Sequence, residues 1–143
     1  FLLSGNILAR YHTYSSYDVH GMRWTMPATA ALWTAGFLAV AGSPPFGIFV
    51  SELLIFKGML AAGQPWISAG YLVLLAVIFV GLSVAVLRMV QGNRPVDLPP
   101  SNSEPALSIL PPLALGLGVL TLGVWIPDWL WNFLNRAAAL IGA

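Results

Sequence analysis

"LAVAGSPPFGIFVSELLIFKG", residues 38–58, decides how this chain folds. Its apolar run is interrupted by Ser43-Pro44-Pro45, with Gly47 close behind. Proline has no backbone N–H, and its ring collides with the preceding helical turn. The residue before a proline is pushed out of the helical region. A regular helix therefore has to break here. Glu52 and Lys57 then stand inside the apolar run that follows. Near a bilayer centre, an acidic or basic side chain costs about 2.5–3.5 kcal/mol on insertion scales. Side chains kept at that cost normally face a bundle interior or a hydrated cavity, and they mark ion or proton pathways.

The composition around this stretch sets the class. Of 143 residues, 58% are hydrophobic and 8% are charged, against about 25% charged in soluble domains. The mean hydropathy is +0.82. Such a chain cannot cover itself with polar surface, so an integral membrane protein is expected. No charge occurs from Gly58 to Leu87 or from Pro105 to Pro127. The net charge of +1 provides no basic footprint for nucleic acid. The absence of cysteine excludes disulfides, thiolate metal sites, thiol nucleophiles and the usual ligands of iron–sulfur clusters. His12 and His20 lie in a polar loop without metal-ligand spacing. No catalytic centre and no cofactor are expected within this chain.

The rest of the chain divides around the break. Residues 1–9 resemble the end of a membrane helix, and with a start at Phe1 the chain is expected to be the C-terminal piece of a longer protein. Residues 10–26 mix Arg10, His12, Asp18, His20 and Arg23 with Tyr11, Tyr14, Tyr17 and Trp24, a composition suited to lipid headgroups. Residues 27–62, as one helix, would be about 54 Å long, against a hydrocarbon core of about 30 Å. They form either two short crossings, 27–43 and 46–62, or one crossing made of offset half-helices. The placement of Arg10 and Arg23 before the segment, and of Arg88 and Arg94 after the next helix, favours one crossing. Length favours two, and two is the expectation. Residues 66–90 form a span with Arg88 snorkelling at its end. Residues 91–104 form an exposed loop. Residues 105–126 form another span, in which Pro111-Pro112 either kinks the helix or delays its start. Within 128–142, Trp129, Leu130, Phe133 and Leu134 share a face largely opposite Asp128, Asn132, Asn135 and Arg136. This suits a short helix lying in the membrane interface or packed on a neighbouring subunit. The expected fold is an all-α integral membrane bundle of about four spans, with a proline-broken helix and a C-terminal interfacial helix.

Glu52 and Lys57 are five residues apart, about 140° around a helix, so they do not share a face. Each needs its own partner, or Lys57 reaches the headgroups. Unwound backbone is tolerated at membrane depth only where protein or water satisfies it, and broken helices line transporter cavities. Ser43, Ser51 and Thr34 are candidates to hold water there. The bland alternatives are hydroxyls bonded to their own helix and a structural ion pair for Glu52.

The form G-x-P-P-F-G-x-F-x-S-E, Gly42 to Glu52, resembles the broken-helix region of the proton-conducting, antiporter-like membrane subunits. That family includes the large membrane-arm subunits of respiratory complex I, the Mrp cation/proton antiporters, and membrane subunits of hydrogenase-4 and formate hydrogenlyase. The motif is most similar to the F-type membrane subunit of hydrogenase-4. "FLLSGNILARYHT", residues 1–13, resembles the end of the family helix leading into it. The resemblance implies that Glu52 belongs to a chain of buried ionisable groups crossing the subunit. It carries no role over to Lys57. It further implies proton translocation within a hydrogenase or complex I-like assembly in a bacterial or archaeal inner membrane. Other membrane subunits and a peripheral redox arm would be its partners. A sodium/proton antiporter subunit and a non-conducting scaffold are the alternatives. The expected proton-transfer residues are Glu52 and Lys57, with Ser43, Pro44, Pro45 and Gly47 forming the break.

Overall fold

Prolines and glycines punctuate the helices of this chain. The computed structural model describes residues 1–93 and 104–141. Among them seven helices follow in order: α1 (Leu2–Tyr11), α2 (Met22–Thr25), α3 (Pro27–Val40), α4 (Gly47–Ala61), α5 (Pro65–Val90), α6 (Ala106–Val124) and α7 (Asp128–Ile141). Arg94 and most of the loop expected over 91–104 lie outside the described residues, as does the expected end of the last helix at 142.

Two of the helix ends follow one rule. Past α3, Gly42 takes a φ of 65°, and the Ser43 N–H bonds the Leu38 carbonyl at 3.0 Å. Past α4, Gly63 takes a φ of 71°, and the Gln64 N–H bonds the Met59 carbonyl at 3.2 Å. Both are Schellman-type ends, where a left-handed glycine lets the chain fold back onto orphan carbonyls. Pro44–Pro45 is a cis peptide.

The two halves of the broken segment lie in series, not side by side. Just before α3, α2 meets the C-terminal end of α5: the Gly21 N–H bonds the Gln91 carbonyl at 2.8 Å, and Trp24 Nε1 bonds the Gly92 carbonyl at 3.3 Å; Ala30 on α3 and Met89 on α5 share the buried core there. Halfway along, the Phe37 and Phe79 rings pack with centroids 5.5 Å apart. The end of α4 turns tightly into the start of α5. Helix α5 therefore runs back along α4 and then along α3. The lengths agree: 14 and 15 residues in α3 and α4 give about 21 and 22 Å, and 26 residues in α5 give about 39 Å. The break lets one half-helix follow the other.

Among the described residues, two helices are long and apolar enough to cross a membrane, α5 and α6. On α5, Val73, Leu74, Val77 and Val84 keep more than half of their surface exposed, an apolar face suited to lipid or other protein. Helix α6 packs against α1, α3 and α4. It starts at Ala106 and runs through Pro111 and Pro112, so the prolines do not delay it. Pro112 cannot donate to the Ser108 carbonyl four residues back. Asn6 on α1 supplies the missing donor, its Nδ2 bonding that carbonyl at 2.8 Å. The Asn6→Leu variant is expected to lose about 1 kcal/mol of stability. Its unfolding midpoint in detergent, compared with the parent's, measures this.

The buried core lies at one end, where Ile7, Val19, Met22, Ala30 and Met89 cluster. Tyr11 ties the loop to it: its hydroxyl donates to the His20 carbonyl at 2.9 Å and lies 2.8 Å from Thr25 Oγ1. The Arg23 guanidinium stacks over Trp24, and that of Arg88 over Tyr17, each 4.5 Å from the ring centre. Arg10 borders the start of α3, beside Met26 and Thr29. Arg10, Arg23 and Arg88 thus share one end of the bundle.

Candidate functional site

The break is where chemistry-bearing residues meet unusual backbone. Helix α4 restarts at Gly47, with Phe46 in extended geometry before it. Glu52 sits in the second turn. Side chains on a helix lean toward its N-terminus, so the Glu52 carboxyl reaches back to the break. It rests against Gly42: a Cβ built there would stand 2.6 Å from the carboxyl carbon and 2.8 Å from Oε1. Gly42 is buried and Glu52 half-buried. Among the described residues, no side chain forms an ion pair with this carboxylate. The carboxyl lies back against the Gly42 backbone, while the neighbouring Leu53, Leu54 and Ile55 keep more than half of their surface exposed.

The other expected site residues separate from it. Lys57 is exposed and joins no ion pair with Glu52. Pro44 and Pro45 are exposed, while Ser43 and Gly47 are half-buried. The hydroxyl of Thr34 donates to the Ala30 carbonyl at 2.9 Å, and that of Ser51 to the Gly47 carbonyl at 3.3 Å. Both satisfy their own helix, the plain local role of such groups. The Lys57→Gln variant is expected to keep its unfolding midpoint in detergent, with stability within about 0.5 kcal/mol of the parent, as substitutions at exposed positions usually do.

Two contributors had no role in the sequence reading. Gly42 is the first. Its signal was present, a glycine ending an apolar helical run just before prolines, but its contact with a side chain ten residues on was not visible. Glu104 is the second. Its Oε1 accepts the Ala28 N–H at 2.7 Å, and its Oε2 accepts the Thr29 N–H at 3.0 Å and the Thr29 hydroxyl. Helix α3 has Met26 at its N-cap position, with no side-chain cap of its own, and Pro27 opens it. The free N–H groups of its first turn need an acceptor, and a carboxylate also suits the positive end of the helix dipole. Glu104 is that acceptor, supplied from just before α6.

Two helices of spanning length and a helix broken at prolines are features of a helical membrane protein. The chain belongs to the NADH:quinone oxidoreductase/Mrp antiporter transmembrane family, whose sequence profile matches residues 1–80. That match includes the break and Glu52. The chain is 32% identical over 134 residues to an NAD(P)H-quinone oxidoreductase chain 4 of Synechococcus sp. strain JA-3-3Ab, covering 83% of this chain and 25% of the relative. It is 29% identical over 143 residues to a hydrogenase-4 component F homolog of Methylacidiphilum infernorum, covering 99% of this chain and 29% of the relative. A chain 4 of Thermosynechococcus vestitus is 32% identical over 132 residues. The chain spans a quarter to three tenths of the length of these relatives. The resemblance to the F-type protein of hydrogenase-4 is therefore met, alongside quinone oxidoreductase relatives of similar identity. No solved structure matches the chain.

Proposed function

We propose that this chain forms part of a proton-translocating membrane-arm subunit of a redox-driven complex, either a hydrogenase or a quinone oxidoreductase. Glu52 is its proton carrier. The observation that carries this is the Glu52 carboxyl, folded back onto Gly42 in a segment with no other charge between Arg23 and Lys57. A carboxylate held at a break in an apolar bundle can exchange a proton with water there, and its cost is justified by function more readily than by stability.

In this proposal α3 and α4 make one composite crossing, antiparallel to α5. Arg10, Arg23 and Arg88 then lie on one side, as the positive-inside rule favours. Helix α7 lies at the interface just beyond α6. Lys57 meets headgroups and stays outside the relay. The partners are other membrane subunits and a peripheral redox arm, in a bacterial or archaeal inner membrane. Redox chemistry takes place in those partners. The test is proton uptake by vesicles carrying the full-length subunit in its complex, with and without sodium. Uptake independent of sodium and lost in Glu52→Gln supports the proposal. Uptake that requires sodium supports a cation antiporter instead.

A further inference from the structure

Gly123 lies one residue before the end of α6. A Cβ built there would stand 2.5 Å from the Pro45 carbonyl oxygen, 2.7 Å from the Gly47 nitrogen and 3.0 Å from the Phe46 carbonyl carbon. All three are backbone atoms of the break, and they cannot swing aside. Gly47 faces back, its own absent Cβ falling 3.7 Å from the Gly123 Cα. Helix α6 thus touches the break backbone to backbone, at the point where α4 begins. Gly42 meets the same site from the α3 side, and there the obstructing group is the movable end of Glu52. Elsewhere on α6, a Cβ at Gly116 or Gly118 would meet nothing within 4 Å.

We infer that Gly42 and Gly123 are positioning residues for the Glu52 carboxyl. Gly42 leaves the space in which the carboxyl rests. Gly123 sets where the break, and hence the start of α4, sits against α6. This rests on the proposed role of Glu52 but has its own readout. Of the helices packed on α4, α3 and α6 carry no titratable side chain, and α5 carries Tyr71 and Arg88. Arg88 lies at the far end over Tyr17, and Lys57 on α4 is exposed.

The test uses the full-length subunit in its complex. Infrared difference spectra follow the carboxyl band that disappears in Glu52→Gln, and proton translocation is recorded beside it. Gly42→Ala and Gly123→Ala are each expected to shift the position of that band and to lower translocation about twofold or more, because the carboxyl is displaced from its place at the break. Gly118→Ala should change neither. If both variants keep the parent's band and translocation per complex and differ only in the amount of complex, the inference is overturned. If Gly123→Ala does not accumulate, Gly42→Ala decides alone, read against Gly63→Ala, which carries the same left-handed backbone strain but meets nothing within 4 Å. Normal pumping by Glu52→Gln would defeat the functional proposal, yet the band would still decide the positioning.

Discussion

Replacing Glu52 by glutamine is expected to reduce proton translocation about 100-fold, the lower range of what a positioned proton-transfer group contributes. Glutamine has nearly the same shape and keeps one oxygen against Gly42, but it cannot gain or lose the proton. The complex should therefore assemble at parental levels, because the substitution removes a charge from an apolar segment and opens no cavity. Glu52→Asp retracts the carboxyl from Gly42 and should fall between the two. Dye-reported proton uptake, normalised to assembled complex, measures all three. Parental uptake in Glu52→Gln would leave the break as packing only, the role of a non-conducting scaffold.

The second large effect is on stability. Glu104→Ala is expected to cost about 2 kcal/mol, the range for hydrogen bonds to a charged acceptor and for lost N-caps. Removing the carboxylate strands the N–H groups of Ala28 and Thr29 and a hydroxyl on Thr29, which has no exposed surface. Glu104→Gln keeps one acceptor oxygen and should lose about half as much. Unfolding midpoints in detergent read both, and a variant as stable as the parent would mean the cap is not formed in the protein. The consequence reaches the site, because α3 is held at its start by Glu104 and ends at the break.

Much of the fold was legible because the signals were local. Proline chemistry at residues 44 and 45 required a break, and the uncharged runs after Gly58 and Pro105 marked α5 and α6 as spanning helices. Glu52 was legible by cost alone, as a charge where leucine would be favourable. The arrangement of α3 and α4 was not. Length argued for two crossings and charge placement for one, and only contacts such as Phe37 with Phe79 and Ala30 with Met89 say which stretch of α5 each half lies against. Likewise, two consecutive prolines left open whether α6 starts late. The Asn6 donor, about a hundred residues away in sequence, satisfies a carbonyl that the prolines free.

The sequence by itself determined an all-helical membrane chain, the place of its break, the family it resembles and the acidic residue worth testing. Those follow from single-residue costs and short-range backbone rules. Tertiary structure alone decided that the Glu52 carboxyl lies on Gly42, that α6 closes on the break through Gly123, and that Glu104 caps α3. Each of these is a contact between segments separated along the chain, set by how close two backbones can approach, and no local pattern encodes that distance.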